Sequence, residues 1–158
     1  AGDLVLHTRA EVGYLGYYNE DLGPSPFEGF NLGGDGMTGY NFYGRENIAL
    51  RGYGNNSLSS EQGDNVYNKF TMELRYPVTL KPSATIYGLA FLEGGNSWGN
   101  LDHFNPFQIN RSAGAGVRIF LPMLGLMGID WGYGFDPIPG KTEDNWGSQF
   151  HFVLGQQF

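Results

Sequence analysis

Cysteine is absent from the chain, which removes disulfides, thiolate-bound zinc and thiol nucleophiles from consideration and says little about compartment. Basic residues are scarce: 9 Lys and Arg stand against 16 Asp and Glu, for a net charge of −7. A nucleic-acid partner would need a basic patch that these totals do not supply. Long apolar runs are missing too. The longest candidate, Ile119 to Ile129, is broken by Pro122, Gly125 and Gly128 and then meets Asp130, so no helix of ~18 apolar residues spans a bilayer. There is no initiator Met and no basic-then-apolar leader, and Ala1 leads almost directly into a strand, so the chain is expected to be a piece of a longer protein. Catalytic and cofactor signatures are equally sparse. His7, His103 and His151 lie far apart without ligand spacing, and Asp102-His103 has no partnered Ser nucleophile. The glycine clusters Gly33 to Gly36 and Gly94 to Gly99 lack the Lys-Ser/Thr of a phosphate loop and the carboxylate series of a calcium loop. No enzyme activity, cofactor or metal is expected.

What the chain does have is glycine and aromatics: 26 Gly, 12 Phe, 10 Tyr and 3 Trp in 158 residues. That length suits one domain, and so much glycine argues against a helical bundle and for a sheet. Period-two alternation marks the strands, because successive side chains in a strand point to opposite faces. In Asn68 to Tyr76, Phe70, Met72, Leu74 and Tyr76 share one face, Lys69, Thr71, Glu73 and Arg75 share the other, and Pro77 is expected to close the run. Ala84 to Leu92 sets Ile86, Ala90 and Leu92 against Tyr87, Leu89 and Phe91, with Glu93 continuing the second face. Ser112 to Leu121 sets Ala113, Ala115, Val117 and Ile119 against Ser112, Gly114, Gly116 and Arg118. Met127 to Phe135 sets Met127, Ile129, Trp131 and Tyr133 against Gly128, Asp130, Gly132 and Gly134. Leu4 to Tyr18 and the final stretch around Phe150, Phe152 and Leu154, opposite His151 and Val153, complete six strands.

Runs of about nine to eleven residues with one wholly apolar face are the length needed to cross a bilayer at a tilt, whereas strands of a soluble sandwich run about five or six. The connections alternate: 77–83 and 121–126 are short, while 19–67, 95–111 and 136–147 are long, as in outer-membrane barrels. The expected fold is therefore an all-β antiparallel transmembrane barrel, represented by about six strands, with a further hairpin within 19–67 left open. Aromatics near strand ends, Tyr17, Tyr18, Tyr76, Trp98, Tyr133, Phe135, Trp146 and Phe158, fit interfacial girdles, although Trp98 and Trp146 fit a core equally well.

Three separated motifs point to a family. Ile48-Ala-Leu-Arg-Gly-Tyr53, after the glycine-rich lead Gly33 to Met37, resembles the Arg-Gly-aromatic tip of the long sixth loop of BamA-like barrels. Phe91-Leu-Glu-Gly-Gly-Asn-Ser-Trp98 is similar to that family's aromatic-x-acid-x-Gly-x-x-Trp strand. Phe150 to Phe158 is similar to its terminal strand, with a Gly three residues from the end and a C-terminal aromatic. With Arg111 to Pro122, the resemblance covers nearly the whole chain.

The resemblance implies the C-terminal part of a barrel of about sixteen strands that assembles outer-membrane proteins, without its periplasmic POTRA domains and N-terminal strands. Six strands cannot close, so completion is expected from those strands or from a second copy. The family's loop folds into the lumen, which implies that the motif Leu50, Arg51, Gly52 and Tyr53 lies inside and that Arg51 packs near Phe91 and Glu93. Without the resemblance, Arg51 reads as a solvated turn residue. The terminal strand, through Phe150, Phe152, Leu154, Gly155 and Phe158, is implied to form a weak seam where nascent strands enter the membrane. Expected partners are outer-membrane lipids, nascent outer-membrane β-barrel proteins, assembly-complex lipoproteins and the missing strands and POTRA domains, with the C-terminus on the periplasmic side. The competing functions are a polypeptide transporter of two-partner secretion and a passive porin.

Overall fold

The computed structural model describes residues 3–23, 25, 27–36 and 44–155. Its regular structure is β throughout, apart from two single 3₁₀ turns, Leu101–His103 and Glu143–Asn145. None of the described helices is long and apolar enough to cross a membrane. The strands are β1 (Val5–Tyr14), β2 (Phe30–Leu32), β3 (Glu46–Ile48), β4 (Val66–Lys81), β5 (Ala84–Trp98), β6 (Asn110–Leu121), β7 (Gly125–Gly134) and β8 (Ser148–Leu154).

Six of these form one sheet in the order β1-β4-β5-β6-β7-β8, each antiparallel to its neighbours. The sheet is open, with β1 and β8 at its two edges, and is consistent with a partial barrel. Tight turns at 82–83 and 122–124 close one end, and the long connections gather at the other. The long segment between β1 and β4 holds no spanning hairpin among its described residues. Its two strands, β2 and β3, are three residues each and pair in parallel with one another, apart from the main sheet.

The first strand stops at Tyr14 rather than continuing to Tyr18. Pro77 does not end β4, as the alternation predicts. The strand runs on to Lys81, and the register steps from Pro77 opposite Tyr87 to Thr79 opposite Ile86, leaving Val78 as the extra residue of a bulge. A bulge is one of the few places inside a sheet where a residue without an N–H is tolerated. Strands β4 and β5, at 16 and 15 residues, also outrun the nine to eleven expected. Their surplus at the long-loop end is buried beneath the loops, at Val66, Tyr67, Ser97 and Trp98.

The two faces of the sheet are opposite in character. Ile129 and Phe152, paired across β7 and β8, are 52% and 63% exposed, while the next pair, Asp130 and His151, is 0% and 4% exposed. Phe70, Met72, Leu74, Leu92 and Val117 are likewise exposed on the outer face. A water-soluble sheet would bury this greasy side, and its exposure is consistent with the outer face of a membrane barrel. The buried apolar cluster lies on the inner side, where Phe30, Leu32, Ile48, Leu50 and Tyr53 of the long segment pack on Tyr67 of β4. Trp98 stacks edge-on against Phe104, with centroids 4.9 Å apart, and Trp146 packs against the inner cluster. Both therefore leave the interfacial set, whereas Tyr17, Tyr76, Tyr133 and Phe135 are exposed.

Candidate functional site

Residues 44–58, within the long segment between β1 and β4, turn back against the inner wall as a tongue. Leu50 exchanges backbone hydrogen bonds with Gly34 (3.1 and 3.2 Å), and Gly54 N–H donates to the Asn145 carbonyl (2.8 Å). Between these anchors lies the tip, Arg51-Gly52-Tyr53. Gly52 has φ +90°, a conformation L side chains rarely adopt, and it rests directly on backbone. A Cβ at Gly132 would sit 2.6 Å from Gly52 N, and one at Gly134 would sit 2.5 Å from Gly52 O. The small residues on the inner face of β7 are the bed on which the tongue lies.

Arg51 reaches across three strands. Its Nε and Nη2 donate to Glu93 Oε1 at 3.0 and 2.7 Å, and its backbone N–H donates to Glu93 Oε2 at 2.8 Å. Nη2 also donates to Glu73 Oε2 (2.8 Å) and Nη1 to Asp130 Oδ2 (3.0 Å). The guanidinium carbon stands 3.7 Å above the centre of the Phe91 ring, a cation–π geometry. Burial works against its charge, but Glu93 first and then Asp130 and Glu73 outweigh that, keeping the guanidinium above its ordinary pKa. The alternative of a solvated turn residue does not describe a side chain with three buried carboxylate partners.

The neighbours of Arg51 extend the docking. Gly52 N–H donates to His151 Nε2 at 3.0 Å, tying the tongue to β8. Tyr53, fully buried, donates its hydroxyl proton to the Arg111 carbonyl (2.8 Å) and accepts from Asp136 N–H (3.3 Å). Burial pushes the Tyr53 phenol up to about 12. Beside it, hydrogen bonds from Arg111 hold the Asp136 carboxyl below its usual range.

The structure thus brings Leu50, Arg51, Gly52 and Tyr53 together with Phe91 and Glu93. Phe150, Phe152 and Leu154 lie some distance away on the outer face of β8, opposite Trp131, Ile129 and Met127. Gly155 follows the end of β8 with φ +82°, so it bends the chain as it leaves the strand rather than kinking it within. Phe158 lies outside the described residues. Glu73, Asp130, Arg118 and His151 also belong to the site, although the motifs do not single them out. Their signal is parity: each is a charged or titratable residue on the wet face of an alternating strand. Among the described residues no cluster of three or more His, Asp or Glu could hold a metal ion.

An open antiparallel sheet with a lipid-facing apolar side and a polar inner side filled by its own loop is part of the wall of an outer-membrane β-barrel. The family model described as the Omp85 superfamily domain matches residues 1–158, and the chain belongs to that superfamily of outer-membrane proteins. Comparison with curated proteins and with solved structures gave no match.

Proposed function

We propose that the chain is the C-terminal wall of a BamA-like assembly barrel that folds and inserts nascent β-barrel proteins into the outer membrane. The observation that carries this reading is the Arg51 tongue, held on the inner wall by Glu93, Glu73 and Asp130. A tongue built into the lumen occupies the space a passive porin would keep open. The working element is the edge of β8. On one side β8 pairs with β7, and no further described strand takes its other side. An edge of this kind templates an incoming strand by backbone hydrogen bonding. In this reading the remaining barrel strands meet β8 at a weak seam, accessory lipoproteins and POTRA domains deliver substrate, and insertion proceeds by strand exchange and local bilayer perturbation, without covalent chemistry.

The test is reconstituted insertion of a β-barrel substrate into lipid vesicles by the whole barrel. Joining β8 to its seam partner with an engineered cross-link is expected to abolish insertion, with recovery on cleavage of the cross-link. Undiminished insertion by the locked barrel would defeat the proposal. Loss of polypeptide passage through the lumen on fixing the tongue, with insertion unchanged, would favour a secretion transporter instead.

A further inference from the structure

Each carboxylate that holds Arg51 also has a cation of its own on the wall. Glu93 has Lys69 (3.9 Å), Glu73 has Arg75 (2.6 Å), and Asp130 has Arg118, whose Nη1 and Nη2 reach Oδ1 and Oδ2 at 2.5 and 2.7 Å. All of these residues lie on the sheet, and none belongs to the tongue. The wall cluster therefore carries three carboxylates and three cations, and Arg51 adds a fourth positive charge when it docks.

The Arg118–Asp130 pair is the most fully built of the three. Arg118 stands opposite Gly128 and Asp130 opposite Gly116 across the β6–β7 ladder, so the two charged side chains are diagonal neighbours, each lying over the other strand's glycine. A Cβ at Gly116 would fall 1.8 Å from Asp130 Oδ1, and one at Gly128 would fall 2.6 Å from Arg118 Cδ. The glycines leave the space in which the fork closes, and Asp130 Oδ2 is the atom shared between wall and tongue.

From this arrangement we infer that Arg118, with Arg75 and Lys69, makes the tongue releasable: the wall cations keep its carboxylates paired when Arg51 withdraws. A buried carboxylate stranded without a cation is strongly unfavourable, so a wall without its own cations would hold Arg51 far more tightly. The wall cations thus set the docking equilibrium rather than the docked geometry. Removing one destabilises the undocked state more than the docked state, because Arg51 remains to serve the carboxylate only while the tongue is in place. The inference concerns the motion of the tongue and deepens the assembly reading by identifying what governs access to the lumen.

Ser112 supplies the probe. It is 1% exposed beneath Gly52, its Oγ has no hydrogen-bond partner, and the chain has no cysteine, so Ser112→Cys introduces a single near-isosteric thiol covered by the tongue. Labelling by a water-soluble maleimide, in the membrane-inserted barrel, reads tongue release directly. Arg51→Met in this background is expected to label faster than the Ser112→Cys reference. Arg118→Met is expected to label slower by about tenfold or more, and Arg75→Met, at a more exposed pair, to slow it in the same direction. Heat-modifiable migration on gels reports folding of each variant, and Arg75→Met keeps the test decisive if Arg118→Met does not fold. Labelling of folded Arg118→Met or Arg75→Met at or above the reference rate would overturn the inference. Failure of Arg51→Met to accelerate labelling would overturn the tongue reading on which it rests. Labelling rates that shift as expected while substrate insertion stays constant would instead count against the assembly function.

Discussion

Arg51 is the residue on which the inner face is organised, and its surroundings separate two kinds of substitution. Arg51→Ala leaves Glu93, Glu73 and Asp130 with their wall cations, so the sheet is expected to remain folded while residues 49–58 become open to protease. Asp130→Asn takes the carboxylate from both Arg51 and Arg118 and leaves the latter buried and unpaired. Its cost is expected to be about 3–5 kcal/mol, read as a lower unfolding temperature than that of Arg51→Ala. Wild-type protease protection in Arg51→Ala would contradict the first expectation, and equal unfolding temperatures the second. Tyr53 adds a pH dependence. Its phenol is raised from about 10 to about 12, so its stabilisation is complete below about pH 10 and is lost as pH rises toward 12. Protease sensitivity of the tongue is therefore expected to climb across that interval in the native chain and not in Tyr53→Phe. At this scale the sequence is legible through motif and parity together. Parity places Glu73, Asp130, Arg118 and His151 inside, but their gathering around the Arg51-Gly52 tip depends on cross-strand register, which no single strand specifies.

Among the elements, β7 shows the logic most clearly: Met127, Ile129, Trp131 and Tyr133 face outward, while Gly128, Asp130, Gly132 and Gly134 receive Arg118 and the tongue. An alternation this regular is readable because its period is two and neither face is interrupted. β4 is harder to read at Pro77, because whether a proline ends a strand or sits in a bulge is decided by the partner strand's register. Trp98 and Trp146 are ambiguous in sequence for a similar reason, since loop packing and not strand position buries them. Two substitutions test the bed and the outer face separately. Gly132→Ala puts a methyl group 2.6 Å from Gly52 N and is expected to cost about 1–3 kcal/mol, expressed as a loosened tongue. Ile129→Lys places a charge on the lipid face and is expected to cost about 2–4 kcal/mol, measured by reversible unfolding from vesicles. A loss below 0.5 kcal/mol at Ile129, of the size an aqueous surface tolerates, would contradict the lipid-facing assignment.

The whole molecule has its apolar surface outward and its charged cluster inward, the reverse of a water-soluble domain. That inversion gives meaning both to the open sheet and to the tongue. The exposed apolar face is of the kind hydrocarbon would cover, residues 44–58 cover part of the inner face, and β1 and β8 are the two edges of the described sheet. The six long strands are legible in the spacing of the alternating runs, whereas the path of residues 44–58 over the inner face is not, because loop docking leaves no periodic trace. The most direct test of the inverted architecture is a single-spin-label scan along β7 from Met127 to Tyr133 in lipid bilayers, feasible without competing thiols because the chain lacks cysteine. Labels at 127, 129, 131 and 133 should collide with lipid-dissolved oxygen, and those at 128, 130 and 132 should not. Oxygen contact without a period of two, or outward positions shielded as in a packed protein interior, would contradict the account.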